Sequence, residues 1–187
     1  MIVVFQGRVT MKTAKIITLS IFALIIAVAA VLTAVFGKKT GESAPKTEFL
    51  FSLKDDLSSW EETRRFAVPE YSDVIFEWTS FCVYANGTRL YSGMPVWDVY
   101  LADLNGDGKR EIISEVSMGS GIVDERVYAY DCSEKQCYAL ENRFYSDFSL
   151  FMNDGELWVR ETKLSGSEFA DERKLALSEM KESDGEF

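Results

Sequence analysis

Val96-Trp97-Asp98-Val99-Tyr100-Leu101-Ala102-Asp103-Leu104-Asn105-Gly106-Asp107-Gly108-Lys109-Arg110-Glu111-Ile112-Ile113-Ser114-Glu115-Val116-Ser117 sets two strand-forming runs around one tight loop. Both runs, 96–103 and 111–117, are rich in β-branched and aromatic residues, which fit a pleated, half-buried surface. Between them, Asp103, Asn105 and Asp107 place oxygen ligands at alternate positions, 1, 3 and 5. Gly108 at position 6 permits a positive-φ turn. The carbonyl of Lys109 can then face inward, and Glu111 at position 9 can close the cage. A hard cation such as Ca²⁺ takes roughly 6–8 oxygens, and this spacing supplies most of them from one peptide. Asn-Gly and Asp-Gly are also strong hairpin signals, so a plain tight connection is the alternative.

An EF-hand needs helical flanks and a bidentate Glu at position 12, where this chain has Ser114. With strands on both sides, an acid at position 9 and the apolar pair Ile112-Ile113 behind it, the loop resembles those of FG-GAP and integrin-type repeats. It occurs once, so a complete propeller is not implied.

The rest of the domain predicts short strands at 65–68, 74–79, 81–85, 89–92, 126–131, 138–140, 148–152 and 156–162. Tight turns join them at Asn86-Gly87 and Asn153-Asp154-Gly155. Leu50, Leu53, Leu57 and Trp60 follow helical spacing and predict one short helix over 50–60. The expected fold is mainly β: an antiparallel meander with a single propeller-blade-like calcium loop, one short helix, and a transmembrane helix ahead of it.

That helix is expected at 16–36, which carries no charge and would span about 31 Å. Arg8, Lys12 and Lys15 precede it and Lys38 and Lys39 follow, which favours an N-inside orientation. Ala27-Val28-Ala29 resembles a cleavage site but falls inside the apolar run, so an uncleaved anchor is the expectation. The implied organisation is a cytoplasmic N-terminus at 1–15, the anchor at 16–36 and a tether at 37–47. An extracytoplasmic β-rich domain follows at 48–180, and an acidic, fraying tail at 181–187. The chain would sit in the cell membrane, single-pass, with its C-terminal domain outside.

All 30 acidic residues but only 15 of the 20 basic ones lie beyond Lys39, giving that part a charge of −15. Nucleic acid is a poor partner for such a surface. A protein or glycan at the cell surface remains a possible one. Trp60, Trp78, Trp97 and Trp158 are read mainly as core, with a surface platform as the alternative. Cys132 and Cys137 are close enough in sequence for a bridge, or remain two free thiols. Cys82 reads as a small strand residue.

Ala67-Val68-Pro69-Glu70, Phe76-Glu77-Trp78-Thr79, Tyr91-Ser92-Gly93-Met94-Pro95 and the loop resemble a bacterial extracytoplasmic domain. It is similar to the C-terminal tail of some membrane zinc peptidases related to β-lactam-sensing antirepressors. Gly119-Ser120-Gly121-Ile122-Val123-Asp124, Val127-Tyr128-Ala129-Tyr130-Asp131 and Gly155-Glu156-Leu157-Trp158-Val159 continue the resemblance. The peptidase part is missing: the chain has no His, hence no His-Glu-x-x-His zinc helix and no Ser-His-Asp triad. What is left resembles the accessory domain by itself on an anchor, and a His-free chain whose best-placed acids serve the loop is expected to be non-catalytic. The alternative is a hydrolase using paired carboxylates, with Asp98 beside Asp103 or Asp107 beside Glu111.

Overall fold

The computed structural model describes residues 47–119, 124–142, 145–163 and 168–185. All of them belong to one compact unit, Ala44–Phe187. The expected anchor at 16–36 and most of its flanks lie outside the described residues. Among the described residues, no helix is long and apolar enough to cross a membrane.

The unit is built of antiparallel sheets. In chain order the strands are β1 (Thr47–Ser52), β2 (Arg64–Phe66), β3 (Phe76–Trp78), β4 (Cys82–Ala85), β5 (Thr88–Ser92), β6 (Asp98–Ala102) and β7 (Glu111–Ser117). They continue with β8 (Glu125–Asp131), β9 (Gln136–Leu140), β10 (Ser146–Asn153), β11 (Glu156–Lys163), β12 (Glu168–Lys174) and β13 (Lys181–Ser183). A six-stranded sheet has the order β1-β6-β7-β8-β9-β13, a four-stranded sheet β2-β3-β4-β5 and a three-stranded sheet β10-β11-β12. The expected meander is present in β6 to β9, but the first and last strands add its two edges.

Successive residues of the central strands serve different cores. Val99, Leu101, Ile112, Val116 and Tyr128 pack with Phe76, Trp78, Val83, Leu90 and Tyr91 of the four-stranded sheet. Tyr100, Ala102, Ile113, Val127 and Ala129 pack with Phe148, Leu150, Leu157 and Val159 of the three-stranded sheet. The result is three β layers. This explains why β6 and β7 are buried along their whole length without alternation: a strand covered on both faces has no solvent side.

The helix expected over 50–60 does not form. Residues 47–52 pair with β6, with a bulge between Phe49 and Phe51, and only Leu57–Glu61 makes a short 3₁₀ turn. Asp56 caps that turn by accepting the Ser58 N–H at 3.0 Å. The ladder to β6 outweighed a helical spacing that would have buried little. Leu53 is fully buried, but Leu57 is 62 % and Trp60 37 % exposed.

The tail also differs from expectation. Lys181–Ser183 pairs with β9, and the Gly185 carbonyl accepts the Ser92 N–H at 2.9 Å. Within Tyr91–Pro95, Gly93 is required by close approach, since a Cβ there would meet Val116 Cγ1 at 2.2 Å and the Pro95 carbonyl at 2.9 Å.

These placements set three stabilities. Leu53→Ala should cost about 2–5 kcal/mol and Gly93→Ala about 1–3 kcal/mol. Leu57→Ala should stay within about 0.5 kcal/mol. Urea unfolding of the three variants checks this, and a large loss at Leu57 would restore the buried helix.

Candidate functional site

The loop after β6 closes on itself through its own side chains. Asp103 accepts the Gly106 N–H on Oδ1 at 2.7 Å and the Gly108 N–H on Oδ2 at 3.0 Å. Asn105 Oδ1 accepts the Asp107 N–H at 2.9 Å, and Asp107 Oδ1 accepts the Lys109 N–H at 2.7 Å. Gly106 and Gly108 have φ of +80° and +86°, the left-handed region in which glycine is unstrained. The expected positive-φ turn at Gly108 is therefore present.

Glu111, the first residue of β7, is 1 % exposed and accepts the Leu104 N–H on Oε2 at 2.7 Å. Burial, then the negative charges of Asp131 and Asp103, pushes its carboxyl up to about 7. Asp131 is the residue that sequence reasoning missed. It ends β8, is buried, and takes the Asn105 amide N–H on Oδ2 at 3.2 Å and the Ser133 N–H on Oδ1 at 2.7 Å. The only signal was its place at the end of a strand before a turn, a position shared by many structural acids. Asp107 is exposed on the rim, and Lys109 reaches the Ser133 hydroxyl at 3.3 Å.

These residues are brought to one end of the sheet. Among the described residues no three His, Cys, Asp or Glu side chains converge as a metal-ready group. The acids are held by backbone N–H groups instead. Each carboxylate oxygen has two lone pairs, so a single N–H bond leaves acceptor capacity on Asp103, Asp107 and Glu111, whereas Asp131 Oδ1 is filled by the Ser133 and Glu134 N–H groups. The donors are all hard oxygens, which suits Ca²⁺. Arg110 does not compensate them: it is buried and paired with Glu70 at 2.6 Å and Glu48 at 2.9 Å.

The carboxylate pairs expected for hydrolysis are not the pairs observed. Asp98 begins β6, while Asp103 lies beyond its far end. Asp98 instead faces Glu115 of β7 and Glu125 of β8, and accepts the Glu115 N–H at 2.8 Å. Lys54 pairs with Glu115 and lies 5.4 Å from the Trp97 ring centroid. Trp97 Nε1 donates to Glu125 Oε2 and to Ser117 Oγ, both at 3.1 Å. Glu111, likewise, is faced by Asp131 and Asp103 rather than Asp107. Two cavities, of about 430 and 320 Å³, are lined by other residues than the Asp98 group.

Trp78 is core, its Nε1 donating to the Val96 carbonyl at 3.1 Å, whereas Trp60 stands against Phe81 at the surface. The three cysteines are free thiols, and burial pushes Cys132 and Cys137 up to about 12. Neither is a nucleophile near neutral pH.

Burial and the Glu115 carboxylate hold Asp98 well above the usual carboxylate range. The folded state therefore keeps this proton to higher pH than the unfolded chain, whose Asp titrates near about 3.9. The resulting stability is present below about pH 4 and is lost as pH rises toward the raised value. Asp98→Asn keeps the oxygen that accepts from Glu115 and removes the charge. Thermal melts should show the variant more stable than wild type at pH 7–8 and little changed at about pH 4, at roughly 1.4 kcal/mol per unit of pKa separation. An equal shift at both pH values would remove the titration from the explanation.

Set against known proteins, the chain matches no family model, no curated protein and no solved structure.

Proposed function

We propose that this chain is a membrane-anchored extracytoplasmic module that binds Ca²⁺ and serves in sensing, binding or assembly without catalysis. The observation that carries the reading is the uncompensated end of the central sheet. Asp103 and Asp131 lie near Glu111 there, short of converging as a metal-ready group, with no Lys or Arg paired to any of the three among the described residues. Asp103, Asn105, Asp107, Glu111 and the Lys109 carbonyl would hold the ion, as in the FG-GAP-type loop that the sequence resembles. A bound dication would supply the positive charge this end lacks. The β6 and β7 ends would then be held by ligands on both sides of the loop.

A hydrolase is the second reading, favoured by the buried Asp98 and Glu115 with the half-buried Glu125 beside them. Their burial and the Lys54 pairing suit a structural cluster better than one that meets a substrate.

Millimolar Ca²⁺ should raise the melting temperature over that in chelator, by linkage about 2.7 kcal/mol at a hundred times the dissociation constant. Glu111→Gln keeps an oxygen for the Leu104 N–H but loses the charge. It should abolish the calcium response while leaving metal-free stability at pH 7.5 equal or higher. Identical melting in Ca²⁺ and chelator would make the loop a turn only.

The anchor rests on the uncharged run at 16–36. Mass spectrometry of membrane-extracted protein should find residues N-terminal to Lys38. Recovery of only a soluble form beginning near Ala30 or Lys38 would defeat the anchored reading.

A further inference from the structure

The cavity of about 320 Å³ lies between the β4–β5 hairpin, the 3₁₀ turn Pro69–Tyr71 and the turn from β8 to β9. Its size is that of a site for a small organic molecule. Tyr71, Phe76 and Tyr130 give it aromatic walls, while Asn86, Thr88 and Lys135 bring polar groups to it. No carboxylate lines it, in a chain with 30 acidic residues.

Lys135 is the unusual member. Its φ is +56°, a conformation that favours Gly or Asn and is costly for a long side chain. Its ammonium is exposed and has no ion pair or hydrogen bond among the described residues. Asn86 Oδ1 accepts the Ile75 N–H at 2.9 Å, which leaves the amide N–H₂ available to donate. Two acids on the neighbouring elements, Glu70 and Asp131, are already engaged. Glu70 is held by Arg110, and Asp131 by the Asn105 amide and the Ser133 and Glu134 N–H groups. Glu134 is exposed on the same turn as Lys135. An aromatic cavity to which the Asn86 amide and Thr88 hydroxyl can donate, with one cation lacking a partner, has the chemistry of an anion site with an apolar body.

We propose that this cavity binds a small arylcarboxylate, with its carboxylate on Lys135 and its ring against Tyr71, Phe76 and Tyr130. The strained turn is the device that presents the ammonium. Asn86 and Thr88 offer further donors from the opposite hairpin. No residue of the loop at 103–111 lines the cavity, although Tyr71 and Lys109 both bond the Ser133 hydroxyl between them.

The test uses the full-length chain with phenylacetate and its neutral isostere phenylacetamide, followed by saturation-transfer NMR and calorimetry. Phenylacetate should bind, weaken with added salt, and exceed phenylacetamide by about tenfold, the worth of one charge-assisted hydrogen bond. Lys135→Gly removes the charge and relieves the positive-φ strain, so it should melt no lower than wild type yet bind phenylacetate about tenfold more weakly. Lys135→Arg should retain binding, and Lys135→Gln should repeat the loss without altering backbone freedom. Absence of saturation transfer at millimolar phenylacetate overturns the proposal. So does equal binding of acid and amide, or wild-type affinity in Lys135→Gly and Lys135→Gln.

Discussion

Covering the central sheet on both faces is the constraint from which the other features follow. Val99 and Leu101 face one core while Tyr100 and Ala102 face the other, and Ile112 and Ile113 divide in the same way. Such strands have no solvent-facing side on which to place charge. Most charge is therefore displaced toward the strand ends, and Glu115, inside β7, is buried with Lys54 and the Leu150 N–H as partners. Asp98, Glu115 and Glu125 lie toward one end of β6, β7 and β8, and Asp103, Glu111 and Asp131 toward the other. Burying these acids within the sheet interior would cost several kcal/mol apiece without partners.

The edges of this sheet are managed by its own chain. β1 covers β6 and β13 covers β9, so the exposed ladder groups belong to β1 and the three-residue β13 rather than to the fully buried β6 and β7. Unpaired apolar edges invite other chains, and short or charged ones discourage them. β13 carries Lys181 and Glu182, and Gly185 then lies so close to β5 that a Cβ would meet the Leu90 carbonyl at 2.4 Å. A sequence that reads as an acidic tail is in this way a structural part of the domain.

Local patterns carried the strands that pair with their chain neighbours. Asn86 and Gly87, and Asp154 and Gly155, have the positive φ that their hairpins require, and β7 runs over the expected 111–117. What sequence reasoning missed is non-local. β1 pairs with a strand about fifty residues on, and its register overrode the helical spacing of Leu50, Leu53, Leu57 and Trp60. β12 and β13 are rich in charge and have little apolar pattern, so only their partners define them. In the candidate site, the four side chains of the loop were visible because they lie in one peptide. Asp131 arrives from β8 through sheet register, which no spacing rule encodes.

The two acidic ends differ in how their charge is met. At the Asp98 end, Lys54 sets an ammonium against Glu115, and the indole N–H of Trp97 serves Glu125. At the Glu111 end, the partners are backbone N–H groups and the Asn105 amide. Dipoles of that kind satisfy lone pairs but do not cancel net charge, and like charges in a partly buried site repel more strongly than in water. Two neutralising agents remain for such an end, a proton or a cation. The upward displacement of Glu111 to about 7 expresses the first. The oxygens of Asp103, Asn105, Asp107 and Glu111 are hard ligands of the kind the second takes, and a dication opposes more than one carboxylate at once where a proton meets a single one.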